Sequence, residues 1–295
     1  MKSTLKMCGI NIVTHPHAPA GYVRLLQQVF KSRTAIPGRG AQHLMIGELK
    51  SINDERTEEG MVGRIYRFVN IDKNAQWFNV VRHDDATPEE VDAIHFPDEL
   101  RPNTETFDFV FYPKGHTLYV NMRSENKIEG KYHPIGVGQV LKLLKSLMSL
   151  PAIHKQFGAV DVTAIPDREQ LERILSIHQL SKLVIEVTRP NPDELGKAQE
   201  RVFARFERMN VRKVRQEITA EKKESITVDA ETRELAEVAS MNGKVIGTGY
   251  TEKGQRIEES TVTRPWIGQV PYHPDNQTAR DTLIAATAGL PGYLE

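Results

Sequence analysis

The chain has 295 residues, in which 39 Lys and Arg balance 39 Asp and Glu, and 39% of the residues are apolar. This length suits two domains, because single hydrophobic cores rarely grow beyond about 250 to 300 residues. No apolar run approaches the roughly 20 residues of a membrane-spanning helix, and no signal peptide is recognisable, so we expect no membrane association. Cys8 is the single cysteine, which excludes an intrachain disulfide and favours the cytoplasm.

The balanced net charge is a sum of segregated blocks. Residues 1–50 carry 7 basic against 1 acidic side chain, residues 51–110 carry 6 against 14, and residues 196–225 carry 9 against 5. Such blocks can form local basic surfaces that attract a polyanion, or they can neutralise one another across the fold. The sequence leaves both possibilities open.

The first half of the chain is rich in predicted strands. Residues 5–14 and 41–52 are typical of strands, and residues 20–31 form an amphipathic helix between them. The acidic stretch 83–103 contains too much Pro and Asp for a strand and predicts a short helix and a loop. Residues 106–124 are the clearest hairpin, with Gly115 in a turn that allows positive φ.

From residue 136 onward, helices and strands alternate. The pattern predicts helices over 136–157, 166–177 and 229–243, strands over 159–165, 182–188 and 211–221, and a hairpin over 243–265. We therefore predict an α+β fold with three parts. They are a strand-rich N-terminal domain (1–130), a C-terminal domain of alternating strands and helices that ends in a β-hairpin (131–265), and a weakly structured C-terminal extension (266–295).

The helix that follows the strand 182–188 carries the most informative charge pattern. A helical period places one apolar face at Leu195, Ala198, Val202, Phe206 and Met209. Beside it lies a basic stripe of Lys197, Arg201, Arg205, Arg208 and Arg212, which Arg215 joins if the helix continues. Such a stripe can follow a row of phosphates, or it can be a solvated face whose arginines pair with acids or with another subunit.

The junction before this helix, "RPNPD" at residues 189–193, has a sufficient structural explanation. Asn191 is a suitable N-cap, Pro192 fits the first helical position, and Glu194 can complete a capping box. A phosphate site is not required there, because the carboxylates beside the helix N-terminus would repel an anion.

No complete catalytic motif occurs in the sequence. His15 and His17 lack a third metal ligand at a suitable spacing, and the acidic set Asp84, Asp85, Glu89 and Glu90 is typical of a helix-capping loop. "IGVGQ" at residues 135–139 lacks the remaining features of a nucleotide-binding loop. We therefore expect no cofactor and no metal, and a non-enzymatic protein in preference to an enzyme.

The C-terminal succession shows a family resemblance. The segments "LVIEVTRPNPD" and "GKVIGTGYTEKGQRIEESTVTRP" resemble bacterial and phage proteins classed as domains of unknown function, with a layout similar to the RexA phage-exclusion protein. "GRIYRFVNIDKNAQWFN" and "FDFVFYPKGHTLYV" resemble the same kind of uncharacterised bacterial family. The resemblance implies a dimeric, two-domain α+β protein that binds DNA with little sequence preference and acts in antiphage defence.

These observations together predict a cytoplasmic homodimer that binds nucleic acid, DNA in the first place, in phage exclusion or antiphage defence. The expected binding residues are the basic stripe together with Lys142 and Lys145 of the helix 136–157. Two alternatives stay open, namely an adaptor or sensor subunit that docks a protein partner in a defence complex, and a metal-dependent nuclease.

Overall fold

The computed structural model of the chain describes residues 2–14, 18–72, 74–95, 97, 99–128, 130–188 and 197–290, without the side chains of residues 168, 197–199 and 203. The predicted histidine pair, His15 and His17, and the predicted cap at Asn191 lie outside the described residues.

Helices and antiparallel strands are both abundant, which confirms the predicted α+β fold. The strands are β1 (Ser3–Val13), β2 (Ile36–Pro37), β3 (Gln42–Ser51), β4 (Met61–Val69), β5 (Phe78–Asn79), β6 (Asp84–Asp85), β7 (Glu105–Tyr112), β8 (Thr117–Asn121), β9 (Asp161–Ala164), β10 (Gln179–Thr188), β11 (Lys213–Thr219), β12 (Gly243–Tyr250), β13 (Arg256–Ser260) and β14 (Ile267–Tyr272). The helices are α1 (Pro19–Lys31), α2 (Pro88–Asp92), α3 (Val137–Met148), α4 (Pro151–Phe157), α5 (Arg168–Leu175), α6 (Lys197–Met209), α7 (Ala230–Met241) and α8 (Ala279–Thr287).

The larger sheet has the strand order β14-β1-β8-β7-β4-β3-β2, and β9 also pairs with β1. Its two faces follow from the alternation of side chains along β7. Phe107, Phe109 and Phe111 enter the main core with α1, α3 and α4, whereas Val110 packs on the opposite face with Leu283 of α8. Both faces of this sheet are therefore covered by helices.

The predicted hairpin and the predicted first helix are both present. In α1 the residues Tyr22, Leu25, Leu26 and Val29 are all buried, as the helical period indicates. Strands β7 and β8 pair up to Tyr112↔Thr117. The positive φ of this turn lies at His116, with φ 37°, and not at Gly115 as we predicted.

The smaller sheet has the order β11-β10-β12-β13, and all its neighbouring strands are antiparallel. Leu183, Ile185 and Val187 of β10 are buried against α5, α6 and α7, where Phe206 and Ala239 complete a second core. The helices therefore cover one face of this sheet. None of the described helices is long and apolar enough to cross a membrane.

The two sheets divide the chain differently from the predicted boundaries. Helices α3 and α4 belong to the core of the larger sheet, and β9 pairs with β1, although all three follow residue 130. The predicted weak structure of the tail is wrong, because β14 pairs with β1 from Ser3↔Tyr272 to Cys8↔Ile267 and α8 buries Leu283 completely. The division into independently folding domains stays a prediction.

Candidate nucleic-acid interface

The face of the smaller sheet that is turned away from its helices is strongly charged. Because Leu183, Ile185 and Val187 point into the core, Glu186 between them points to the opposite face. The strand register places Glu186 opposite Arg215 of β11 on one side and opposite Lys244 of β12 on the other. We call this surface the cationic face, and its cations on β10, β11 and β12 are Lys182, Lys213, Arg215 and Lys244.

Two glutamates hold these four cations. The Nζ atoms of Lys213 and Lys244 lie 2.6 and 3.7 Å from the carboxylate oxygens of Glu186. Glu217 is shared in the same way, at 2.5 Å from Lys182 Nζ and 3.4 Å from Arg215 Nη2. Arg256 and Glu258 of β13 lie on the same face, opposite Tyr250 and Thr248 of β12. Five positive charges thus face three negative ones, and the surface keeps an excess of positive charge that can attract an anion.

The glutamates stay ionised at neutral pH. Burial raises the pKa of Glu186, but the hydrogen bond from Lys213 and the charges of Lys244, Lys213 and Arg215 outweigh burial, so the net pKa is lowered. The pKa of Glu217 is lowered first of all by the hydrogen bond from Lys182. Both carboxylates can therefore position lysines without losing their charge.

A cleft of about 410 Å³ lies at one end of the cationic face, between the two sheets. Glu186, Lys213 and Lys244 line it from the smaller sheet, while Lys145 of α3 and Asp161 of β9 line it from the larger one. We call it the cationic cleft. Its volume falls in the range of small-ligand sites, so it could hold one phosphate-bearing unit of a larger molecule.

The charges at the rim of the cleft are unevenly paired. Arg212 Nη2 lies 2.8 Å from Asp161 Oδ2, which neutralises one carboxylate of the cleft. Lys145 is exposed, and within the described part of the chain it makes no ion pair. Lys145 is thus available to an anion that enters the cleft.

A glycine allows β10 and β12 to approach closely beside the cleft. A Cβ atom added to Gly243 would lie only 1.9 Å from the carbonyl oxygen of Glu186. Any larger residue would push the strands apart where Lys244 and Glu186 face each other, so this glycine helps to place the cleft side chains.

The predicted basic stripe is divided between two surfaces. Helix α6 ends at Met209, and Asn210 follows with φ 52°, so the placement of Arg212 on the helical stripe is wrong and the condition under which Arg215 would join it is not met. Arg212 lies at the cleft and Arg215 on the cationic face, because Val214 and Ile218 of β11 point to the core on the other side.

Only Arg201, Arg205 and Arg208 remain together, exposed on α6 in the helical layer. Arg201 pairs with Glu234 of α7, and Arg201 and Arg205 line a separate pocket of about 420 Å³. The side chain of Lys197 lies outside the described part of the structure. These arginines and the cationic face lie on opposite sides of the smaller sheet.

The other predicted residues have mixed outcomes. Phe206 is buried as predicted, but Met209 is 51% exposed, so its assignment to the core face is wrong. Lys145 lines the cleft, whereas Lys142 donates a hydrogen bond to the carbonyl of Gly38 at 3.4 Å.

The sequence prediction missed Lys182, Lys213 and Lys244. The spacing of Lys213 and Arg215, two apart in a strand, is the signal that could have placed both on one face.

A second charged cluster lies where α8 covers the larger sheet. Arg280 Nη1 and Nη2 contact the carboxylate of Glu48 at 2.9 and 3.1 Å, and Arg280 Nε lies 2.8 Å from Asp108 Oδ1. Arg64 contacts Asp108 at 3.1 Å and Glu125 at 2.8 Å. Lys50 Nζ also lies 3.3 Å from Glu48, so three carboxylates share two guanidinium groups and one ammonium group.

The pKa values of two carboxyls in this cluster are shifted in opposite directions. The hydrogen bond from Arg280 is the main cause that lowers the pKa of Glu48 to about 2. Burial, followed by the neighbouring carboxyl of Asp108, raises the pKa of Glu125 to about 7. Asp108 is fully buried, and its Oδ2 has no hydrogen-bond partner within the described residues. The hydrogen bond with Asp108 that contributes to the raised pKa of Glu125 requires a proton between the two carboxyl groups.

Catalytic candidates other than these clusters are few. Within the described ranges, no three His, Cys, Asp or Glu side chains converge to hold a metal ion. Glu90 pairs with Arg82, and Asp84 is in the same ion-pair group. Burial raises the pKa of Cys8 to about 12, so this thiol stays protonated in the core.

Comparison of the chain with known proteins identifies its family and no function. No curated protein matches the chain. A family model, described as Domain of unknown function (DUF4747), matches residues 3–287 and thus includes both sheets, the cationic cleft and α8. The similarity of layout to the phage-exclusion protein stays a prediction. Because the match covers nearly the whole chain, the protein belongs to this family of domains of unknown function.

Proposed function

We propose that the protein binds nucleic acid with little sequence preference, through the cationic face and the cationic cleft. The observation that supports this proposal is the shared pairing of the cations, in which Glu186 and Glu217 each position two of them. Together with Arg256 and Glu258 of β13, five cations on the face stand against three carboxylates, so part of the positive charge is uncompensated. Exposed, positioned cations of this kind are the groups that neutralise backbone phosphates.

The distribution of the cations favours an extended anion over a small one. Lys182, Arg215 and Lys244 stand on three adjacent strands, and Lys145 continues the charge across the cleft on α3. Tyr250 is 41% exposed and lies on the same face of β12 as Lys244, because the two residues are six positions apart and side chains in a strand alternate between the faces. An exposed ring beside a basic groove can stack on an unpaired base, as in proteins that bind single strands.

Two triple variants with the same charge change test this proposal. The first replaces Lys145, Arg215 and Lys244 with Gln and leaves the Lys213–Glu186 pair intact, so that Glu186 keeps a partner. The second, matched variant replaces Arg201, Arg205 and Arg208 of α6 with Gln. Binding to labelled duplex DNA, single-stranded DNA and RNA is measured by fluorescence anisotropy at low salt.

We expect the first variant to bind all three nucleic acids more weakly and by a similar factor, since phosphate contacts carry no sequence information. The second variant should bind nearly as well as the parent protein. If the second variant instead bound more weakly than the first, binding would be assigned to the arginines of α6. A parent protein that binds none of the three nucleic acids would contradict the proposal altogether.

A role in antiphage defence and a homodimeric state are further proposals, and they rest on the family resemblance described above. The acidic segment 74–95, inserted between β4 and β7 with Val80 and Val81 exposed, favours the second candidate function, that of a protein-docking subunit.

A further inference from the structure

A long insertion interrupts two strands that pair directly. Strands β4 and β7 are antiparallel neighbours, with Arg67 opposite Glu105, yet residues 70–104 lie between them. A hairpin connection of about two to five residues would close this pair. The sheet therefore does not need the insertion. Long connections of this kind are commonly functional in compact proteins.

The insertion presents apolar side chains to solvent. We call residues 74–95 the lobe, in which β5 and β6 form a small hairpin. At its tip the exposed fraction is 59% for Phe78, 73% for Val80 and 87% for Val81. Adjacent large apolar side chains at such exposure are unfavourable in water and are typical of a contact surface.

Polar contacts hold this tip in one conformation. The side-chain oxygen of Asn79 accepts hydrogen bonds at 3.0 Å from the backbone N–H groups of Val81 and Arg82. The side-chain nitrogen of Asn79 donates to Glu90 at 2.8 Å, and Arg82 Nη2 contacts the same carboxylate at 2.9 Å. The apolar side chains are thus displayed by a preorganised turn, which lowers the entropic cost of docking.

The lobe and the cationic cleft have complementary chemistry. Residues 74–95 carry five carboxylates against one arginine. The cleft presents Lys145, Lys213 and Lys244, and the apolar side chains Leu141, Val160 and Val262 line the same space. The described lining of the cleft contains no residue of the lobe. An acidic surface with an apolar tip therefore fits a basic cleft with apolar walls, and one chain contains both.

We propose that the lobe of one chain docks into the cationic cleft of a second copy, with Val80 and Val81 against the apolar walls. The contact joins two different surfaces, so two chains can either exchange lobes and close a dimer, or pair head-to-tail with one lobe and one cleft unoccupied. Head-to-tail pairs can continue to a ring or a chain of molecules. Nucleic acid and the lobe would compete for Lys145 and Lys244.

Three variants of the full chain test this interface. The lobe variant carries Val80→Lys and Val81→Lys, which places cations against the basic cleft and removes no buried contact, because both side chains are exposed. The cleft variant carries Lys145→Glu and Lys244→Glu and keeps the Lys213–Glu186 pair. The control variant carries Ile52→Lys, at an apolar position 42% exposed beside β3. Sedimentation velocity at low salt measures the mass of each protein and of their mixtures.

We expect the parent and control proteins to associate with rising concentration, and the lobe and cleft variants to associate at least about tenfold more weakly, each losing a central interface contact. An equimolar mixture of the two variants should form pairs of chains and nothing larger, because only one intact lobe and one intact cleft remain. A monomeric parent protein at tens of micromolar, an associating lobe variant, or a mixture without pairs would each overturn the proposal. The lobe variant should bind nucleic acid at least as tightly as the parent, because the competing lobe no longer occupies the cleft, so failure of this interface is distinguishable from failure of nucleic-acid binding.

Discussion

Replacing Glu125 with Gln should reduce the dependence of stability on pH. The structure places the Glu125 carboxyl beside the buried Asp108 and Arg64, and its pKa is raised from 4.5 to about 7. The folded protein therefore binds more protons than the unfolded chain between these two values. This group contributes its full stability below pH 4.5, and the contribution is lost as the pH rises through about 7.

The size of the change in stability with pH follows from the pKa shift of Glu125. One pKa unit corresponds to about 1.4 kcal/mol, so a shift from 4.5 to about 7 sets an upper limit of about 3.4 kcal/mol. The side chain of Glu125 is 25% exposed, and solvent screening reduces the interaction. We therefore expect about 1 to 2 kcal/mol after this reduction. Gln does not ionise, and its amide N–H can donate to the Asp108 carboxylate at any pH.

Urea unfolding of both proteins at about pH 5 and about pH 8 measures the difference. The free energy of unfolding of the parent should fall by about 1 to 2 kcal/mol more than that of Glu125→Gln between these values. All other ionisable groups are common to both proteins, so their contribution to the pH dependence cancels in the comparison. Equal pH dependence, or a variant less stable than the parent at the higher pH, would refute a shared proton between Glu125 and Asp108.

Two further substitutions test the packing of the two sheets. Phe206→Ala should lower the free energy of unfolding by about 3 to 5 kcal/mol, since the ring is 2% exposed, whereas Met209→Ala, on the same helix but 51% exposed, should change it by less than about 0.5 kcal/mol. Similar losses of unfolding free energy in both variants would mean that α6 is rotated about its axis and buries a different face. Arg280→Met should cost about 3 to 5 kcal/mol in urea unfolding, because it leaves Asp108 and Glu48 with one guanidinium group between them. Stability close to that of the parent would show that α8 is not anchored by this cluster.

Local patterns in the sequence predicted the local elements well. The buried face of α1, the hairpin β7–β8 and the burial of Phe206 each depend on residues close together in the chain. The pairing of β9 and β14 with β1 joins segments more than a hundred residues apart, and no local period reveals it. For this reason the tail was assigned to a weakly structured extension.

The candidate site was predicted only in part for the same reason. The helical spacing identified Arg212 and, on the condition that the helix continued, Arg215, and Lys145 was named on the helix 136–157, but the arrangement of the three was not predicted. The helix was expected to extend past Met209, where Asn210 ends it. The cationic face depends on the register of β10 with two strands, which brings Glu186 between Lys213 and Lys244. Register across a sheet is a tertiary property that a single sequence does not display.

The salt dependence of nucleic-acid binding tests the proposed function most directly. Log affinity for duplex DNA is measured against log salt for the parent, for the variant with Lys145, Arg215 and Lys244 replaced by Gln, and for the matched variant of Arg201, Arg205 and Arg208. If the cationic face contacts phosphates, the slope of the first variant should be flatter by up to about 2.7, at about 0.9 for each lost contact, and the slope of the matched variant should equal that of the parent. An unchanged slope in the first variant would contradict binding at the cationic face.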